Sequence, residues 1–358
     1  MNAPPTPRRP NLRGAPFEEV VERLRAHGLR EGAAMLPAAL YRGVFVDRVA
    51  RIADTAGVSP RKLAAAAEVF DDASLELVET APSWDRSARY VFRCPDGALV
   101  ESVRIHHHGR WTVCVSSQAG CALACRFCAT GKLGVKRNLE AWEIVDQVLQ
   151  VGRLSDVRIS DIVFMGMGEP LMNEAEVYRA AEVMTEARGL QISARRIVIS
   201  TAGVIPAIRR FVDDARPYRL VFSLGCAVPA KRLELMPVQA KWGFDELLDA
   251  IRRYEAYRGG KHVTLEYVAI RNRTMGDDDV EALRRLAETG LRFILNVIPL
   301  NPVDDADGLV APTMEETRAW TGSLRGLGFP IKVRYSGGKD QLSGCGQLGR
   351  ALLERGVL

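Results

Sequence analysis

The 358-residue sequence is poor in cysteine, with seven, and in aromatics, at 7%. A small, odd cysteine count argues against a secreted disulfide scaffold. No apolar run approaches the ~20 residues that span a bilayer. The opening stretch MNAPPTPRRPNLRG has no apolar signal core. These absences predict a cytoplasmic protein with no membrane segment. No internal repeat is visible, nor any RNA-binding motif built on stacking aromatics. Neither sign of charge dominates: 49 Lys and Arg face 44 Asp and Glu, for a net charge of +5. That balance permits a nucleic-acid partner without demanding one. Basic pairs such as Arg195-Arg196, Arg209-Arg210, Lys231-Arg232 and Arg252-Arg253 read as solvated helix faces and strand entries.

At 47% hydrophobic and 26% charged residues, the chain has the composition of a globular protein with room for one large domain and a small companion. Residues 1–14 are rich in Pro and Arg and are expected to be disordered. Residues 15–85 carry apolar positions at helical spacing and form a small helical accessory domain, with Ser59 capping a helix that opens at Pro60. Residues 86–110 alternate apolar and polar side chains around Pro95-Asp96-Gly97, a β-hairpin connector. His106-His107-His108 read as its solvated tip in preference to a metal site, because consecutive strand residues point in different directions.

Residues 111–350 change texture. The runs WTVCVSS, DIVFMG, RIVIST, RLVFSL, HVTLEYVAI, RFILNVIPL and IKVRYS alternate with amphipathic segments such as AWEIVDQVLQVGRL. Strand–helix repetition of this kind predicts an α/β fold with a parallel sheet. Polar residues gather at the strand ends, at Met165-Gly166-Met167-Gly168-Glu169, Ser200-Thr201, Ser223 and Asn296. A shared functional rim favours a full or partial barrel over a doubly wound sheet.

Four of the seven cysteines lie between Cys114 and Cys128, and Cys121, Cys125 and Cys128 have the spacing C-x3-C-x2-C. Three thiolates on a loop offer ligands to a metal. Structural zinc takes four ligands, and Cys114 sits in an apolar strand rather than on the loop. An iron–sulfur cluster with three protein ligands keeps one iron open, the logic of a catalytic site. Spacing alone leaves both readings standing.

With Phe127 before the last cysteine and the Gly-rich FMGMGEP after the second strand, this segment resembles the radical S-adenosylmethionine (SAM) superfamily. CVSSQAGCALACRFCATG, VFMGMGEPL, VIPLNP and CGQL together resemble the RNA adenine methyltransferases of the RlmN/Cfr family over roughly residues 95–350. The resemblance implies a partial (β/α) barrel with a small N-terminal helical domain. It implies one [4Fe–4S] cluster on Cys121, Cys125 and Cys128, and two molecules of SAM per turnover. In that family one molecule methylates a C-terminal cysteine, and the radical from the second activates that methyl for addition to adenine. A base then removes the ring proton, and a second cysteine releases the product by forming a transient disulfide. By position, Cys345 matches the methyl carrier, Cys114 the resolving thiol and Glu101 the base. Met165, Gly168, Glu169, Ser200, Ser223, Leu224, Gly225 and Asn301 match cofactor contacts. Cys94 and Cys226 match nothing and read as structural.

The chain departs from the family at three places. Gly225-Cys226 stands where SLH is usual, GKDQLSG differs from the usual approach to the carrier cysteine, and no FRAKQ-like element is clear. The resulting expectation is methylation of adenine carbon 2 in ribosomal or transfer RNA. The alternatives are carbon 8 of the same base, or a radical methylase for a small metabolite. An electron donor such as flavodoxin or ferredoxin is implied, and a monomer is expected.

Overall fold

The computed structural model describes residues 9–29, 35–107, 109–301 and 308–354. Twelve strands form: β1 Glu76–Pro82, β2 Ala88–Arg93, β3 Leu99–His107, β4 Arg110–Cys114, β5 Gln118–Gly120, β6 Val135–Asn138, β7 Asp161–Phe164, β8 Ile197–Thr201, β9 Arg219–Gly225, β10 Val263–Ala269, β11 Phe293–Pro299 and β12 Ile331–Val333. Ten of them make one sheet in the order β1-β2-β3-β4-β7-β8-β9-β10-β11-β12, and β5 pairs with β6 alone. From β4 to β12 every pairing is parallel; from β1 to β4 every pairing is antiparallel.

All seven apolar runs of the second half become strands of the parallel portion. Their Val and Ile side chains suit a pleated surface buried on both faces. Helices such as Ala141–Ser155, Glu174–Thr185 and Phe244–Tyr257 supply the crossovers and cover the sheet. Phe164, Phe211, Phe222 and Tyr254 are buried between these layers. Together they form the expected open α/β barrel wall. Among the described residues no helix is long and apolar enough to cross a membrane.

The first half corrects the expected boundaries. Residues 1–8 lie outside the described set, but residues 9–14 are ordered. Leu12–Gly14 is a buried 3₁₀ turn, with the Asn11 side chain accepting the N–H of Arg13 at 2.9 Å. Arg13 pairs with Asp146 at 3.0 Å, both side chains almost wholly buried. The Arg13 guanidinium also donates to the carbonyls of Ala50, Asp72 and Ala73. Helices Phe17–Ala26, Met35–Phe45 and Pro60–Val69 form the small module. Ser59 stands at the N-cap, yet its side chain makes no capping bond; Pro60 opens the helix as expected. The module ends before residue 85, because β1 already belongs to the sheet. Its outward, largely exposed pattern hides it from periodicity. The hairpin turns at Asp96-Gly97, with Cys94 N–H donating to Ala98 O at 2.8 Å. It is no separate connector, since β3 pairs with β4 and carries the sheet onward. At its far end His106 packs on Trp111 with ring centroids 4.5 Å apart; His108 lies outside the described residues.

Candidate active site

The C-terminal ends of the parallel strands surround a cavity of about 170 Å³. Cys121, Cys125, Cys128, Met165, Gly168, Glu169, Ser200, Ser223, Gly225, Asn301 and Cys345 all line it. Sequence-distant candidates therefore meet on one rim, as strand-end placement predicts. Leu224, Cys114 and Glu101 do not line it.

The cysteine loop lies between β5 and β6 and is shaped by its backbone. Gly120 has φ +85°, and a Cβ there would collide with Gly134 O; the next residue, Cys121, donates its N–H to that carbonyl at 2.7 Å. Only glycine satisfies both conditions. Cys128 N–H turns back to Cys125 O at 3.0 Å, and Arg126 N–H reaches Leu235 O at 3.0 Å. Burial pushes the Cys121 thiol up to about 12, and pushes Cys125 and Cys128 up as well. Cys128 and Cys121 raise the Cys125 thiol further, with Arg232 opposing.

Such a donor set suits a cationic group that accepts several thiolates at once. Among the described residues no three His, Cys, Asp or Glu side chains close around a single ion; the three thiols instead line one wall of a wider space. Asn301 Oδ1, on the far side, is buried without a hydrogen-bond partner, a cost of about 1–3 kcal/mol that a bound donor removes. The residues present fit a cluster held at the three thiols with a polar ligand beside it.

At the end of β7, Gly168 has φ +102°, and a Cβ there would lie 2.6 Å from that of Gln118. Glu169 follows, accepting Leu171 N–H at 3.0 Å and Ala202 N–H at 2.8 Å. Burial pushes its carboxyl up to about 7 against these bonds. Across the cavity, Ser200 and Ser223 hydroxyls donate to Glu266 Oε2 at 3.2 and 3.4 Å. Arg334 Nη1 lies 3.4 Å from Glu266 Oε1 and 3.6 Å from Met165 Sδ. Sequence reasoning missed Glu266 and Arg334. The available signal was a charged residue in the interior of each of the apolar runs HVTLEYVAI and IKVRYS.

Cys345 is held by its own backbone. Its N–H donates to Ser336 Oγ at 3.2 Å, and its carbonyl accepts Asn301 Nδ2 at 2.9 Å. Its charge raises the thiols of both Cys128 and Cys114. Cys114 sits in β4 behind the cavity wall, its thiol pushed up to about 12, first by burial and then by Cys345, with Arg334 opposing. The Cys345 sulfur, ahead of Glu266 and Cys114, holds the Arg334 guanidinium above its ordinary value despite burial.

Glu101 also lies behind the wall, 1% exposed. Its carboxylate takes Arg89 Nη1 at 2.9 Å and Gly349 N–H at 2.8 Å. Burial raises its pKa, with Arg89 pulling it down. Leu224 stands apart from the other expected cofactor contacts: its side chain is fully buried in the core, and its carbonyl accepts Arg232 Nε at 2.8 Å. Strand alternation explains this, since Ser223 and Gly225 face the cavity and the residue between them faces away. Cys94 and Cys226 are buried, as expected of structural thiols.

Residues 115–287 match the Radical SAM superfamily. The chain is 43% identical over 331 residues to an RNA methyltransferase of Anaeromyxobacter, named as a probable one, covering 90% of this chain and 96% of that protein. It is 41% identical over 271 residues to the dual-specificity RNA methyltransferase RlmN 1 of Myxococcus xanthus, covering 75% and 74% of the two. The chain belongs to the RlmN-type radical SAM RNA methyltransferases. The crystal structure of a radical SAM methyltransferase from Sphaerobacter thermophilus superposes with a TM-score of 0.88 at 33% identity, covering 95% of this chain and 99% of that one. The family implies a [4Fe–4S] cluster and SAM, in keeping with the donor set above.

Proposed function

We propose that this RlmN-type protein methylates an adenosine of RNA at ring carbon 2, with Cys345 carrying the methyl group and Cys114 releasing the product. The observation that carries the reading is that the charge of Cys345 acts on Cys128, Cys114 and Arg334 alike. The names of the relatives support RNA as substrate, and the dual specificity named for one of them is in keeping with more than one RNA.

Cys121, Cys125 and Cys128 would hold the cluster, with Gly168, Glu169, Ser200, Ser223, Gly225 and Asn301 beside it for SAM, used twice per turnover; together these groups supply carbon-radical chemistry that ordinary methyl transfer lacks. The chain's own residues do the rest. Ser336 and Asn301 fix the backbone of Cys345, so its sulfur presents the methyl carbon to the cavity. Leu123, Phe127, Met236, Val268 and Leu300 line the same space and keep water out. Glu101 takes the ring proton: burial makes its carboxylate a stronger base than an exposed one. β3 carries it two residues from Val103, the register partner of Cys114, on the same face. The Cys114 thiolate then attacks Cys345 Sγ. The new S–S bond forms as the sulfur–carbon bond breaks, and its electron pair leaves with the carbon, which takes a proton to become the methyl group.

The test is anaerobic incubation of the reconstituted enzyme with reductant, SAM and RNA, followed by mass analysis of nucleosides. 2-Methyladenosine is the expected product. 8-Methyladenosine would move the target carbon, and unmodified RNA would overturn the reading. Cys345→Ala should keep its iron yet transfer no methyl group. Cys114→Ala should stall as a protein–RNA adduct that survives denaturation and disappears when Cys345 is also replaced.

A further inference from the structure

The rim opposite the active cavity gathers positive charge. Arg195, Arg219, Lys261 and His262, at the N-terminal ends of β8, β9 and β10, meet Arg258 at the end of the helix Phe244–Tyr257. They line a cavity of about 310 Å³ whose wall includes no carboxylate. Around it Arg210 pairs with Glu174, Arg252 with Asp249, Arg253 with Asp213 and Arg292 with Glu255. Arg195, Arg219, Arg258 and Lys261 form no ion pair among the described residues.

Four unmatched cations in one concavity repel each other until an anion enters. The wall also includes Tyr254, 3% exposed. Its phenol oxygen accepts Leu220 N–H at 2.8 Å, and its own proton has no acceptor among the described residues. Burial raises the phenol's pKa, while Arg258 and Arg219 act from close by in the other direction, so it stays a neutral donor. Cations around one unspent O–H match the acceptor oxygens of a phosphate. The basic rim continues sideways, where Arg110 and Arg196 both approach Asp161 at 3.9 Å. A strip of this kind fits a polyanion better than a free ion.

We infer that this cavity binds a backbone phosphodiester of the RNA substrate, remote from the nucleotide that enters the cysteine-lined cavity; the inference rests on the RNA reading above. At ~3.3 Å per residue the strands between the rims place the two sites roughly 20 Å apart, so a folded RNA reaches both and a short stem-loop reaches one.

The experiment measures the Kd of the holoenzyme for full-length transfer RNA, and for an isolated short stem-loop, across a salt series. The wild type is compared with the triple variant R195Q/R219Q/K261Q and with the charge-preserving R195K/R219K/K261R. All three positions are exposed. Each lost contact should flatten the log K against log salt slope by about 0.9, and the neutral triple variant should weaken full-length binding roughly tenfold or more. The stem-loop Kd should not change, and the charge-preserving variant should restore the slope. An unchanged slope with full-length RNA overturns the inference. Inorganic phosphate that stabilises the wild type against heat, but not the neutral variant, while the RNA slopes coincide, assigns the site to free phosphate and overturns the RNA source. RNA that binds with the expected slopes but is never methylated would overturn the proposed function and leave this site standing.

Discussion

One wall of the cysteine-lined cavity, the loop over residues 121–131, is closed by backbone. Cys121, Arg126 and Cys128 all donate their N–H groups to main-chain carbonyls. The other wall, the tail over residues 336–349, is fastened by side chains from elsewhere. Asp85 takes Gly338 N–H at 2.8 Å, Arg89 Nε reaches Gln341 O at 3.0 Å, and Glu101 takes Gly349 N–H at 2.8 Å. Thr130 Oγ1 donates to Leu348 O at 2.7 Å, and Asn301 holds Cys345 O. A backbone-closed loop keeps its shape whatever the pH and suits ligands that must not move. A side-chain fastening lets go when one partner is protonated or recruited elsewhere. It suits a sulfur that has to serve two partners in turn.

Four experiments would break or sharpen that contrast, taken from the largest effect to the smallest. Cys125→Ala should abolish iron binding after anaerobic reconstitution, read by iron and sulfide analysis, while circular dichroism stays native because the loop does not depend on the thiol for its closure. Iron retained at the wild-type level would remove the ligand assignment.

Arg89→Ala should cost about 3–5 kcal/mol of unfolding free energy, since it leaves the buried Glu101 carboxylate unpaired. Limited proteolysis should then cut the tail first, with the cysteine loop still protected. Simultaneous cleavage of both walls would show that they are one unit.

Cluster-free protein should lose stability as pH rises from about 4.5 to about 7. Glu169 holds its proton more tightly when folded, with a carboxyl at about 7, so its contribution is fully present below the ordinary carboxylate value and gone above 7. The loss is of the order of 3 kcal/mol. Glu169→Gln should flatten the chemical-denaturation profile over that window, and an unchanged profile would place the titration elsewhere.

Asp85→Asn should cost about 1 kcal/mol, the worth of a hydrogen bond. Burial opposes it, but bonds from Ser87, Gly338 and Ser83 hold the Asp85 carboxyl below its ordinary value. Its hold on the tail is therefore present at neutral pH and lost as pH falls through that lowered value. Hydrogen exchange at Gly338 in acid reads this; protection that stays at its neutral-pH level once the carboxyl is protonated would show that Asp85 does not fasten the tail.

The parallel strands and the cysteine loop were legible because each carries a local signature, apolar runs in one case and C-x3-C-x2-C in the other. What fastens the tail was not. Arg89, Asp85 and Ser336 are single residues whose partners lie between nine and some 250 positions away, and no spacing rule reaches that far. β1 was hidden because an exposed edge strand has no buried face to alternate. The inward facing of Leu224 was not legible because a motif match transfers a position without its facing.

The ordered turn at Leu12–Gly14 bears on how the protein is handled. Asp146 is closed off from water; Arg13 is its ion-pair partner, Leu75 N–H and Gln150 add neutral hydrogen bonds, and Arg153 acts on it more weakly. Trimming the chain at residue 15, as composition would advise, strands that anion on the crossover helix that follows the cysteine loop. A purification tag can extend the sequence ahead of residue 9, but it cannot replace what comes next. The most easily discarded stretch of this enzyme carries its counter-ion.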